Sequence, residues 1–324
     1  MGAHLGKRST GNSPTGEASR VIPNPATYTF QGSTSGYTSG GSGGNTPSFD
    51  AQNVIDKFSF SSDGNATDVG DLTAARHEVA GSSSGFHGYT AGGETMPGAP
   101  YVRHDTIDRF PFSSDGNATD VGDLTSGRSG SNGGQSSAEN GYTSGGYPNP
   151  DHMDKIEKYS FVVGASGTTV GDLTVGRSNA AGQSSTTHGY VSGGWSPYST
   201  VIDKFPFSSD TNATDVGDLT QARTILAGQS STTHGYSSGG QSPSIVNTID
   251  KFPFSSDANA TDVGDLYAGR NRLAGQSSTT HGYSSGGAGA QDDIIDKFPF
   301  SSDNNASDVG DLTVDRGYVA GQQV

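Results

Sequence analysis

Four histidines, His87, His188, His234 and His281, hold one position of a recurring phrase, with Asn140 and Ser35 in its other two copies. Neutral imidazole is a common metal ligand, so a set of four invites a metal reading. Repeat inheritance explains the set as well, and histidines in separate units meet only if they face a common axis. Asp210, Asn212 and Asp215 offer oxygen ligands at short spacing, which suits calcium, but no EF-hand glycine or bidentate glutamate follows. The plainer reading is a turn whose Ser and Asp side chains bond nearby backbone. Asn65, Asn117, Asn212, Asn259 and Asn305 each begin an N-x-S/T acceptor triplet. Arg76, Arg128, Arg177, Arg223, Arg270 and Arg316 each follow the Asp of a GDL triplet by five residues, which predicts a local arginine–carboxylate pair holding a turn. Catalysis needs different groups in different roles around one substrate. Beyond Glu17 only Glu78, Glu94 and Glu139 break the repeat, Glu157 merely replacing an Asp, and no unit supplies a distinct nucleophile, base and orienter. The chain has no cysteine, which excludes disulfides, thiolate metal sites and thiol nucleophiles. The expectation is a protein without enzymatic activity, resident metal or cofactor, calcium being the one alternative.

These residues are positioned by a repeat. The isoleucine opening the IDKF phrase recurs at Ile55, Ile107, Ile156, Ile202, Ile249 and Ile295, at spacings of 52, 49, 46, 47 and 46 residues. A period in the forties marks radially repeated or stacked β-units. In the fifth unit four runs bounded by Gly, Ser, Asn or Asp read as strands: A over 225–228, B over 235–238, C over 248–254 and D over 261–266. Strand C alternates imperfectly, as expected if both faces pack, and no window carries the 3.6-residue period of a helical solenoid. The A pattern occurs seven times, counting 28–32 and 318–322 at the two ends. Borrowing one strand from the far end closes a ring of sheets and removes exposed edges. The C-terminal copy is the expected closing strand, the N-terminal copy being surplus. Gln135, Gln183, Gln229, Gln276 and Gln322 follow the A-strand glycine and are expected to line a central channel.

A strand ending in a glycine pair (Gly239-Gly240, Gly286-Gly287), then an aromatic strand, then an arginine, resembles the kelch repeat over residues 26–324. The kelch tryptophan is missing, since the one Trp is Trp195. The phrase SSDGNATD at 61–68 and 113–120 is similar to the Asp box of sialidases and related propellers, which sits between strands C and D. Here Asn replaces its Gly and Asp its Trp, and the third unit carries VVGASGTT at 162–169 instead. These resemblances imply an all-β, six-bladed kelch-like β-propeller with four-stranded blades over 26–324, preceded by a flexible basic N-terminal arm over 1–25. They fix no function. Sialidase chemistry would want an arginine cluster on the axis with a Tyr–Glu pair, and the copper-radical oxidases built on kelch propellers need the cysteine this chain lacks.

Variation among the copies gathers between the glycine pair and IDKF, in the B–C connections 42–54, 94–106, 147–155, 195–201, 241–248 and 288–294. They carry Phe49, Met96, Tyr101, His104, Tyr147, His152, Trp195, Tyr198, Asp292 and Asp293. In a propeller these loops share one face, and exposed aromatics on a rigid scaffold are usual anchors for sugars or proteins. Phe49, Tyr101, His104, Tyr147, His152, Trp195, Tyr198, Asp292 and Asp293 are therefore the predicted ligand-binding set.

Hydrophobic residues make up 29%, and the 50 glycines bring the apolar share near that of an ordinary domain, which suits a core of many small contacts between stacked units. No apolar stretch is long enough to span a bilayer, and the first 25 residues lack the apolar centre of a secretory signal. That arm carries Lys7, Arg8 and Arg20 against Glu17, a net of +2, leaving −17 of the total −15 on the rest. A basic arm on an acidic body suggests an anchor to a larger assembly, while the acidity argues against nucleic acid. The wording IDKFPFSSDANATDVGDL with AGQSSTTHGYSSGG resembles repeat proteins of marine tailed phages, cyanophages especially, which are virion structural proteins. That resemblance implies a virion component (tail fibre, neck or capsid decoration), other virion proteins as partners through the arm, and host surface polysaccharide or a receptor on the loop face. A homo-oligomer fits such appendages. The alternatives are a glycan-processing enzyme on an Asp-box propeller and a kelch-type interaction scaffold.

Overall fold

The structure, a computed structural model, describes residues 29–43, 50–95, 101–130, 133–148, 152–162, 164, 166–289 and 292–324. The arm with Lys7, Arg8 and Arg20, together with Phe49 and Met96, lies outside them. The described residues form no helix, and they build six four-stranded antiparallel sheets, an arrangement consistent with a β-propeller. The fifth sheet is typical, with strands Ala227–Ser230, His234–Ser238, Thr248–Pro253 and Thr261–Asp265 hydrogen-bonded in the order A-B-C-D. The expected A strand started two residues early. Ile225 adopts a left-handed φ of 58° and donates its N–H to Asn179 O in the preceding unit, so it turns away before pairing with strand B begins.

The sequence pattern of strand C explains how the sheets stack. Ile249 joins a cluster shared with the next sheet (Leu273, Phe298, Ala306), while Phe252 on the opposite face joins the previous one (Tyr190, Ile202, Leu219). Six such clusters lie between neighbouring sheets, one of them joining the first and sixth through Phe58, Tyr283 and Ile295. Tyr190 stacks on Phe254 at 4.7 Å, and Tyr236 on Phe300 at 4.9 Å. Dense interlocking of this kind lets small residues build a core.

The A strands approach too closely for side chains. A Cβ at Gly228 would run into the Gly182 carbonyl, as would one at Gly275 into that of Gly228. Serine hydroxyls extend the ladder: the N–H groups of Ser83, Ser136, Ser184 and Ser230 donate to the Oγ of Ser136, Ser184, Ser230 and Ser277 at 2.9–3.0 Å. Strand Ala320–Gln323 pairs with Ser35–Ser39 and completes the first sheet, as expected of the C-terminal copy. The surplus N-terminal copy, where described, lies elsewhere: Gly32 bridges Ser278 and donates to Ser277 O, and Gln323 Nε2 donates to Phe30 O. The glutamines depart from expectation. Their Nε2 groups bridge neighbouring sheets, as where Gln183 Nε2 donates to Tyr236 O and to the hydroxyls of Ser192 and Ser237, and of the five only Gln183 lines the cavity among the A segments. The cavity of about 100 Å³ among the A segments is lined by their glycines, alanines and serines, by Phe30, and by larger side chains that include Glu78, Gln183, Ile225, Arg272 and Tyr318.

The candidate binding face

The strand registers put the start of A, the end of B, the start of C and the end of D on one side of every sheet. The B–C and D–A connections therefore share a face. Its framework is the glycine pair with the buried arginine. Gly239 and Gly240 take φ of 63° and 101°, conformations L side chains rarely adopt, and a Cβ at Gly240 would sit 2.8 Å from Thr224 O. Beneath them Arg223 donates to Gly239 O, Thr248 O and Ser237 O and pairs with Asp250 at 3.0 Å. The predicted carboxylate was the nearby GDL aspartate; the partner is instead the carboxylate of the next unit's IDKF phrase, about thirty residues downstream in Arg76–Asp108, Arg128–Glu157, Arg177–Asp203, Arg223–Asp250 and Arg270–Asp296, while Arg316 of the last unit pairs with Asp56 of the first. Each pair is essentially sealed from water, so the loops rest on a stiff base.

The opposite face holds the Asp-box turns. Asp210 pairs with Lys158, Asn212 Oδ1 accepts from Asp172 N–H, and Asp215 Oδ1 accepts from Gly217 N–H. The three supposed calcium ligands thus serve three separate partners, two of them in the preceding sheet. The repeated histidines sit there as well, in different sheets, with Thr187, Thr233 and Thr280 hydroxyls on Nδ1 of His188, His234 and His281.

On the loop face each D–A segment is stapled to the start of a B–C connection, for example His77 to Glu94, Ser178 to Trp195 and Thr224 to Gln241. Eight large apolar side chains are exposed among the described residues; seven of them (Tyr101, Val102, Val175, Trp195, Ile245, Tyr267 and Val314) belong to this face, and only Phe86 does not. Trp195 meets Tyr198 edge-on at 4.7 Å. Tyr147 meets the tilted His152 ring at 5.0 Å and the Arg103 guanidinium at 5.0 Å, the latter a contact that joins two successive connections. His104 Nε2 bonds Thr95 Oγ1, and burial lowers its pKa. Of the predicted set, Asp292 is buried and its Oδ1 accepts Gly289 N–H, which shapes the loop; Asp293 is half-buried beside it.

The copies also carry six different residues at the second position after each arginine: Glu78, Gly130, Asn179, Ile225, Arg272 and Tyr318, all at φ between 54° and 64°. Their backbones link in succession, Glu78 N–H to Tyr318 O, Tyr318 to Arg272, Arg272 to Ile225, Ile225 to Asn179 and Asn179 to Gly130. A left-handed β-branched residue such as Ile225 is strained, and strain of this kind collects at functional sites. Burial, with Glu94 nearby, pushes the Glu78 carboxyl up to about 7, and burial with Arg272 nearby holds His77 down at about 4. Arg272 lies over the Tyr318 ring at 4.5 Å. In the sequence Glu78 and Glu94 stand out only as breaks in the pattern, and the signal that marks the group is the difference among the copies at this one position. No helix among the described residues is long and apolar enough to cross a membrane. No known protein family matches the chain, and no curated protein does.

Proposed function

We propose that the chain is a non-enzymatic virion structural protein of a tailed phage: a six-bladed, kelch-like β-propeller, held on the particle by its basic arm, with the loop face turned toward host surface polysaccharide or a receptor. The observation that carries the binding part is the concentration of exposed aromatic and aliphatic side chains on that single face, over a base of buried ion pairs. Exposed apolar groups gathered on a rigid scaffold mark interaction sites. Six-bladed closure is supported by the pairing of Ala320–Gln323 with Ser35–Ser39 and by the cluster between the first and sixth sheets. The virion setting rests on the likeness of the repeat wording to phage proteins.

Two measurements test this reading. Gradient-purified particles from the native lysate should contain the protein by mass spectrometry; its absence removes the virion setting. Purified protein should bind host cells or their polysaccharide, and Trp195→Ala/Tyr198→Ala should weaken that binding at least about tenfold while leaving the melting temperature nearly unchanged. Undiminished binding would move the contact off this face.

A further inference from the structure

Ligand atoms of His77, Glu78 and Glu94 all lie within 4.8 Å of one another. The imidazole of His77 is 2% exposed, yet neither ring nitrogen has a hydrogen-bond partner. A buried polar group left unpaired is costly and calls for an explanation. The other groups are already held in place. His77 and Glu94 exchange backbone hydrogen bonds of 3.0 and 2.9 Å, and Glu78 is fixed through its N–H to Tyr318 O. The Glu78 carboxylate accepts from the Ser129 hydroxyl and Gly130 N–H, and Glu94 Oε2 faces Arg103 Nε at 3.5 Å, which leaves lone pairs on both carboxylates.

Repeat inheritance does not account for the trio. The equivalent positions read Ser129, Gly130 and Tyr147; Ser178, Asn179 and Trp195; Thr224, Ile225 and Gln241; Asn271, Arg272 and Ala288; and Gly317, Tyr318 and Ser42. Only one copy places ligating side chains at all three.

We propose that His77, Glu78 and Glu94 hold one first-row transition-metal dication, of the Zn²⁺ or Mn²⁺ class, on the loop face just before strand Ala80–Ser83. One imidazole nitrogen and two carboxylates form the mixed N/O set such ions take, whereas calcium prefers oxygen alone. Ser129, Gly130 and Arg103 are the outer partners that orient the carboxylates, as second-sphere groups do in metal sites. Arg103 and Arg272 oppose the ion's charge, so affinity depends on the ligands rather than on a general negative field. This goes beyond the expectation of no metal, and it stands apart from the virion and loop-face reading.

The test is titration of the full chain, stripped with EDTA, with ZnCl₂ and MnCl₂ by calorimetry, with CaCl₂ as contrast. One zinc or manganese ion should bind per chain with a rise in melting temperature, and Co²⁺ should give a visible absorption band. His77→Ala and Glu94→Gln should each weaken binding by more than the about 10–100-fold that loss of an outer partner costs. Failure of the EDTA-stripped wild type to bind zinc and manganese would overturn the site, as would affinity unchanged in either variant. If the variants do not fold, a wild-type Co²⁺ spectrum without a nitrogen ligand would overturn it equally.

Discussion

Thr73, Thr125, Thr174, Thr220 and Thr313 each give both an N–H and a hydroxyl to a buried carboxylate that also meets an arginine. The remaining copy has Tyr267 there, and it offers only its N–H; Asp296 Oδ1 is left without a hydrogen-bond partner. Burial raises the Asp296 carboxyl above its ordinary range, against the pull of Arg270. A raised carboxyl takes its proton more readily in the folded chain than in the unfolded one, so its ionisation costs stability as pH rises through the folded pKa. Tyr267→Thr should therefore stabilise the protein by about 1 kcal/mol at neutral pH, and the gain should shrink toward acid. Urea midpoints at the two pH values check both parts; no gain at neutral pH refutes the account. Removing an arginine is a harsher change. Arg223→Met strands Asp250 in the interior and should cost about 3–5 kcal/mol, part of which Arg223→Met/Asp250→Leu should return. A loss under 1 kcal/mol on urea denaturation would show that water reaches the pair.

At the scale of strands and turns, the His-to-Tyr start of strand B is a titrating element. His188, His234 and His281 are lowered by burial first and by Lys204, Lys251 and Lys297 next, with Asp257, Asp303 and Asp63 opposing. As pH falls below the ordinary histidine value the unfolded chain takes up protons that the folded one resists, so stability is present above that pH and lost beneath it. Asn140 already occupies this place in one copy. Replacing all three histidines by Asn should flatten the fall in melting temperature between pH 7.5 and 5.5; an equal fall in the variant assigns it to other groups. This element was legible in the sequence, as were the strands, the C–D turns and the shared side of the B–C loops, because each is set by residues close in the chain. The arginine partners were not, since Arg223 reaches past its own GDL aspartate to the next IDKF phrase. The third unit shows the same hidden coupling: Tyr159 replaces the usual Phe, and its hydroxyl bonds Ser82, which stands where other copies have Gln. Sequence spacing inside a unit cannot reveal a partner in the neighbouring one.

For the molecule as a whole, the pairing of Ala320–Gln323 with Ser35–Ser39 makes one sheet depend on both ends of the described chain. Deleting residues 317–324 should remove the strand, Arg316's neighbour Gly317 and the link from Gln323 N–H to Ser83 Oγ. The truncated protein should lose cooperative melting and aggregate; a soluble product with an unchanged melting temperature would disprove the dependence. The candidate metal trio was invisible at this scale for a related reason, because Glu94 meets His77 and Glu78 only through the staple between a D–A segment and a B–C connection. The same long-range pairing has a consequence in time. Ser39 and Gln322 stand 283 positions apart, and at a translation rate of roughly 5–20 residues per second the first sheet waits tens of seconds on the ribosome for its fourth strand. Throughout that interval the Ser35–Ser39 edge is open to stray partners, so an unfinished or cleaved copy carries a visible flaw, and only chains made through residue 323 can hide it.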